Sequence, residues 1–421
     1  MKRIIVFLTF LLVFCILTSC GQNADTPADE TELSTDAVVS ETDAPEAPKS
    51  DEPIRLSAEE KAKFYKVVEF ELPENLRDAM VNYMRECSSI KWTPKQDFTL
   101  TNDYDTWTVN LTYKNGTVYT GFPYADAAVN LEYFEDNIVD GKYYPKVVEW
   151  KKSAGATCTT AIVMAYQQFD NHESSYRDWI PGQSGFWMDT VGGYEVPKDC
   201  LNTKEICDAN GKDKMFEAYA SMQKGDIIYK VSDMASYNIH CRVITEEPTI
   251  AKNGAGKAVY TRSYLTTIEQ TNAFDKTRTD VTTNWYVDHT YSFETLYETG
   301  YIPLTLKSYS APRSELEVPY LGLDAEITSD ILSKGAFGTA TIKSNFPLCY
   351  VTMSVLDKSG NLVAEKELND KDLYQTMRCS LRNSFSGIFD KLQGGDYTFV
   401  LKAGISAGSV ELSRVDFTYS K

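Results

Sequence analysis

The sequence predicts an α+β fold followed by a separate all-β sandwich, on three observations. Helical stripes and one hairpin signal occupy the region before residue 226. Strand-type runs follow one another from 226 to about 306. After Pro312 the chain breaks into short β-type runs separated by turn residues. An apolar share of 43% with 12% aromatics suits packed domains, and 421 residues suffice for two or three of them.

The first residues belong to neither layer. "MKRIIVFLTFLLVFCILTSCGQ" places Lys2 and Arg3 before an apolar stretch from Ile4 to Leu17. That stretch is shorter than the roughly 20 apolar residues of a membrane span and has the layout of an export signal. Its ending, Leu17-Thr18-Ser19-Cys20-Gly21, resembles the lipobox of bacterial lipoproteins. The resemblance implies cleavage before Cys20, lipid on Cys20, and attachment to the outer face of the plasma membrane. Residues 1–20 are thus expected as signal. Residues 21–55 are rich in Thr, Asp, Glu, Ala, Pro and Ser, too poor in large apolar residues to offset ordering entropy, and are expected as a flexible tether. Residues 22–53 hold ten acidic residues against one Lys, half of the net charge of −18. That balance argues against nucleic acid as a partner, since phosphate contacts need Lys and Arg. Lipid rather than charge would hold the chain to a membrane.

Residues 56–311 are expected as one domain with an N-terminal extension. Ser57 with Glu60 forms a capping-box signature, and Leu76, Met80, Tyr83 and Met84 form a helical stripe. Trp107, Val109, Leu111 and Tyr113 alternate into Asn115-Gly116, a hairpin turn signal. "TCTTAIVMAYQQF" predicts a helix with Cys158, Ile162, Ala165 and Phe169 on one stripe, and "DKMFEAYASMQ" predicts a short helix. "DIIYKV", "NIHCRVIT", "AVYTRSYLTTIEQT" and "TNWYVDHTY" predict strands. "SFETLYETGYIPLTL" predicts a closing helical turn and strand. Residues 312–421 predict an immunoglobulin-like sandwich of about 100 residues, expected as a spacer or a weak protein binder.

Seven cysteines remain beyond Cys15 and Cys20, so at least one thiol is free. Cys349 and Cys379 fit either a disulfide or two core thiols. No Cys/His cluster has zinc spacing, so no metal or cofactor is expected. A cysteine nucleophile needs an imidazole, and there are three: His172, His240 and His289. His172 sits in a polar loop, expected exposed. His289 lies in "YVDHTY" and would serve as base only with a different strand order. On the His240 strand, Ile239, Cys241 and Val243 share one face; His240, Arg242 and Ile244 share the other.

The order is what selects a site. "SAGATCTTAIVMAYQQF" is followed by "KGDIIY", by the histidine strand "NIHCRV", and by "YLTTIEQTN". This resembles the papain-like cell-wall peptidases of the NlpC and CHAP types, and "YTGFPYAD" looks like their tyrosine-bearing segment. The match covers about residues 118–305. It departs from the NlpC pattern at Thr157 and Thr159, where Asp and Ser are usual, and in longer gaps from Tyr124 to Cys158 and from Cys158 to His240. The resemblance implies Cys158 as nucleophile, His240 as base and then acid, and Glu269 as the group orienting it, with Gln270 next door on the opposite strand face. A helix N-terminus favours a thiolate at Cys158, and its backbone N–H could bind an oxyanion. Tyr124 could donate to the same oxyanion, or serve only in a core. Gly155 and Ala156 would let substrate backbone approach. Trp150, Trp179 and Trp187 fit either a cleft wall or the core. The expected function is cleavage of amide bonds in peptidoglycan stem peptides through a thioester. The alternatives are a catalytically inactive binding lipoprotein recognising glycan or protein, and an acyl transferase using the same cysteine.

Overall fold

The computed structural model describes residues 51–102, 108–172, 179–181, 187–233, 238–369, 376–385 and 387–420. Cys20, the expected signal, most of the expected tether and Trp107 lie outside the described residues.

The chain begins with α1 (Ala58–Lys61), β1 (Lys66–Glu69) and α2 (Leu76–Ser89). The capping box of Ser57 and Glu60 is present, but α1 is a single turn. Val67 and Val68, β-branched, carry the next segment into a strand. In α2 the Asn75 side chain caps the first turn, and Met80, Tyr83, Met84 and Cys87 are buried. Next come β2 (Lys91–Pro94), β3 (Phe98–Thr101), β4 (Asn110–Tyr113) and β5 (Tyr119–Thr120). The hairpin expected across Asn115-Gly116 is a turn without a ladder. Thr117 N–H donates to Lys114 O at 3.2 Å, yet β4 pairs back with β3, and β5 pairs with β2. Aromatic packing accounts for this choice. The Trp92 ring lies 5.3 Å from Tyr113 and 5.2 Å from Tyr119, and the two tyrosines lie 5.0 Å apart, so the arms of the turn meet through rings and not through a backbone ladder.

The central layer follows: β6 (Ala127–Ala128), α3 (Leu131–Asp136), β7 (Lys142–Tyr143), β8 (Ala154–Gly155), α4 (Cys158–Tyr166), β9 (Met188–Thr190) and α5 (Thr203–Ala220), kinked at Gly211. The run continues with β10 (Ile227–Val231), β11 (Ile239–Ile244), β12 (Tyr264–Gln270), β13 (Trp285–Ser292), α6 (Phe293–Thr299) and β14 (Ile302–Leu306). Six of these strands form an antiparallel sheet in the order β13-β12-β11-β10-β14-β9. α4 packs on β11 and β12 and against α2. Every α4 residue is buried, not only one stripe. A helix apolar on all sides is one enclosed on all sides.

The enclosure is completed by the C-terminal layer. It holds β15 (Tyr320–Leu323), α7 (Ser329–Ser333), β16 (Thr341–Ser344), β17 (Leu348–Asp357), β18 (Leu362–Leu368), β19 (Arg378–Ser380), α8 (Leu381–Ser384), β20 (Gly395–Ile405) and β21 (Gly408–Tyr419). The two sheets run β1-β15-β16-β19 and β18-β17-β20-β21. β1 therefore belongs to the C-terminal layer, pairing Lys66–Glu69 with Leu323–Tyr320, although sequence placed it in the preceding domain. The two layers belong to one compact unit, Ser50–Lys421. Cys349 and Ser406 reach Met164 of α4 at 4.0 and 3.6 Å, and Asn130 donates to Ile405 O and Ser409 Oγ at 2.8 and 2.9 Å. Cys349 and Cys379 are both free and buried, in different core clusters.

Candidate active site

Cys158 is the first residue of α4, where backbone N–H groups lack helical partners. The flanking threonines have a structural use there. Thr157 Oγ1 accepts from Thr160 N–H at 3.2 Å, and Thr157 N–H donates to Thr160 Oγ1 at 2.6 Å. This capping box, built from Thr157 and Thr160, fixes the turn that presents the thiol.

The sulfur meets β11 at its first residues. Cys158 Sγ lies 3.7 Å from Ile239 O and 4.0 Å from the Tyr124 hydroxyl. The Cys241 thiol donates to the Cys158 carbonyl at 3.2 Å. His240 follows Ile239 on that strand and influences the sulfur electrostatically, while its Nε2 is engaged by Glu269 Oε2. That leaves Nδ1 as the ring nitrogen available to the thiol. Hydrogen bonding from Cys241 holds the Cys158 thiol well below the usual thiol range; burial opposes this, and His240 and Tyr124 reinforce it. Burial disfavours a charged His240, but Glu269 and Cys158 outweigh it and raise the imidazole to about 9. Burial likewise disfavours a charged Glu269, yet His240, Arg242 and Tyr291 bring it down to about 2. The set is therefore arranged for a thiolate facing an imidazolium.

Arg242 and Tyr291 escape sequence reasoning. Strand alternation puts Arg242 on the His240 face. Nothing local says that its Nε lies 2.8 Å from Glu269 Oε1, or that the guanidinium sits 3.9 Å from the Tyr291 ring and 4.3 Å from that of Tyr301. Tyr291 donates to Glu269 Oε1 because β13 carries a bulge. Ile268 pairs with Val287 and Thr267 with His289, so Asp288, at φ 56°, is skipped. Without that extra residue Tyr291 would fall on the opposite face of the sheet. Asp288 is held by Arg85 at 2.7 and 3.0 Å.

The remaining predicted residues separate into wall and scaffold. Tyr124 is buried, reaches the sulfur, and packs on Trp150 at 5.4 Å between centroids. Gly155 is not open to substrate. A Cβ there would lie 2.4 Å from Pro123 O and 2.8 Å from Ala125 Cβ, so its smallness lets the Tyr124 segment run against it. Ala156 bridges Tyr124 in the same way, its N–H donating to Pro123 O at 3.1 Å. Gln270 is fully buried and donates to Phe122 O at 2.9 Å, placing it among the supports of the Tyr124 segment and not at the sulfur. Asp226 of the "GD" pair anchors α2 through Arg77 at 2.7 Å. Trp150, Trp179 and Trp187 are buried. His172 is half-exposed and paired with Asp170; His289 pairs with Asp275 at 3.0 Å. Each histidine thus has a carboxylate, and His240 is the one brought to Cys158.

No family model and no curated protein matches the chain. Among solved structures, CopC from Methylosinus trichosporium OB3b aligns with 19% of this chain and 74% of its own length, at 21% identity and a TM-score of 0.14.

Proposed function

We propose that the chain is an exported, lipid-anchored cysteine hydrolase whose central layer is papain-like and whose C-terminal layer is immunoglobulin-like. One observation carries the reading: a thiol at the first residue of a helix meets the head of β11, where the His240 imidazole has one nitrogen fixed by a buried carboxylate. Cys158 attacks an amide carbonyl, Tyr124 and the Cys158 N–H receive the oxyanion, and His240 protonates the leaving amine. Water then releases the acyl group from Cys158. The order of motifs and the lipobox point to peptidoglycan stem peptides as substrate and to Cys20 as the membrane anchor. No helix of the described residues is long and apolar enough to cross a membrane.

The test uses the full chain on purified peptidoglycan, with released muropeptides separated by chromatography. Wild type releases new amino termini; Cys158→Ala releases none while melting at the same temperature. Equal release by both proteins would refute the assignment. A binding lipoprotein on the same scaffold is the second reading, favoured by the 6% exposure of Cys158. It predicts peptidoglycan retention without release by either protein. Added amine acceptors distinguish hydrolysis from acyl transfer.

A further inference from the structure

Cys158 and Cys241 lie against each other across the contact between α4 and β11. The Cys241 thiol donates to the Cys158 carbonyl at 3.2 Å, which brings the two cysteines together at the head of α4. Other thiols have different company. Cys349 contacts Met164 and Ser406, Cys379 contacts Ser384, and Cys207 contacts Tyr301 O. The protein therefore holds a dithiol at its candidate site, although an amide hydrolase uses one sulfur.

We infer that Cys241 is a resolving thiol that captures oxidised Cys158 as a reversible Cys158–Cys241 disulfide, so that hydroperoxide switches the site off without destroying it. The inference rests on reading Cys158 as a thiolate. In the first step the Cys158 sulfur attacks a peroxide oxygen and the O–O bond breaks. Hydroxide or alkoxide leaves, sulfur is oxidised to the sulfenic acid, and the peroxide is reduced. In the second step the Cys241 sulfur attacks the sulfenic sulfur. The S–S bond forms, the S–O bond breaks, and the departing hydroxide takes the Cys241 proton as water.

Three features favour this sequence over random oxidation. Cys158 is buried but keeps 6% exposure, whereas Cys241 has none. A small peroxide therefore meets Cys158 first. Burial pushes the thiols of Cys87, Cys207, Cys349 and Cys379 upward, which keeps them protonated and slow to oxidise. Burial also holds the proton on Cys241, helped by the Cys158 charge. Oxidation of Cys158 removes that second influence just when Cys241 must react. Strand alternation alone places Cys241 away from His240, so the histidine is not displaced to form the bond.

The experiment treats the reduced full chain with hydrogen peroxide, blocks free thiols, and maps non-reduced peptides by mass spectrometry. Iodoacetamide labelling of Cys158 is followed before and after dithiothreitol. Wild type is expected to give a Cys158–Cys241 cross-linked peptide, to lose Cys158 labelling, and to regain it fully with dithiothreitol. Cys241→Ser, with Cys241→Ala as a second variant and a melting curve on each, is expected to lose labelling that dithiothreitol does not restore, with sulfinic or sulfonic acid on Cys158. Irreversible oxidation of Cys158 in wild type without the cross-link would overturn the inference, as would identical recovery in wild type and both variants. Cross-linking in a protein that releases no muropeptide overturns the hydrolase reading alone. Release without cross-linking overturns the resolving role alone.

Discussion

The two ends of α4 each carry a buried sulfur contact, and they behave oppositely. At the N-terminal end, Cys158 meets Cys241, His240 and Tyr124, and its proton is held loosely. Near the C-terminal end, Met164 packs on Cys349, whose thiol burial pushes up to about 12. Both cysteines are more than nine-tenths buried, so burial alone does not explain the difference. Donors do: a helix N-terminus, a second thiol and an imidazole at one end, a thioether and a serine hydroxyl at the other. The two thiols differ in which groups converge on the sulfur, and the C-terminal layer contributes by closing the far end of the helix.

That contrast can be broken most sharply by deleting each sulfur. Cys158→Ala should cut amide hydrolysis by at least about a thousandfold, as loss of a nucleophile does in other covalent enzymes. Cys349→Ala should leave the rate near wild type and cost about 1 kcal/mol of stability, read from denaturant unfolding. Next in size is Glu269→Gln. It leaves the Arg242 guanidinium buried without its countercharge, and breaking such a pair costs roughly 3–5 kcal/mol. Its pH signature is separate. His240 is raised to about 9, so the stability it contributes is complete below about 6.5 and is lost as pH rises through about 9. Glu269 is lowered to about 2, so its contribution is complete above about 4.5 and is lost as pH falls through about 2. Cys158, lowered in the folded chain, has the opposite sign over the same span, so it is in Cys158→Ala that melts should decline between neutral pH and 9, and adding Glu269→Gln should remove that decline.

Much of the site is legible in the sequence because chain order and alternation carry it. Cys158 before an apolar run and His240 on a strand are placed by local pattern, Glu269 follows from the resemblance, and the structure puts Cys158 at the head of β11 and pairs His240 with Glu269. What is not legible depends on long-range packing. The β13 bulge at Asp288 decides which face Tyr291 occupies, and Arg85 on a distant helix holds that bulge. Gly155 reads as an opening for substrate, whereas Pro123 and Ala125 fill the space. β1 reads as part of the preceding domain because its partner, β15, lies some 250 residues away in the chain. The Asn115-Gly116 turn forms, but its arms pair with β3 and β2 and not with each other.

Smaller effects sharpen the contrast between the ends of α4. Arg242→Met should slow hydrolysis on the order of tenfold, the size expected from losing a charge-assisted contact of about 1.5 kcal/mol. Removal of a positive charge beside Glu269 should also move the alkaline limb of the rate profile upward, whereas Arg242→Lys should retain it. Asn130→Ala removes both the α3 cap and two contacts to the C-terminal layer, and should cost about 1 kcal/mol in unfolding with little change in rate.

The most direct test is the pH dependence of Cys158 alkylation by iodoacetamide in the full chain, followed by peptide mass spectrometry. The donors gathered at the head of α4 predict that Cys158 labels with a midpoint well below that of an ordinary thiol, and that His240→Ala raises this midpoint. A wild-type midpoint at or above about 8.5, the value of a free cysteine, would contradict the account, as would a midpoint that ignores His240.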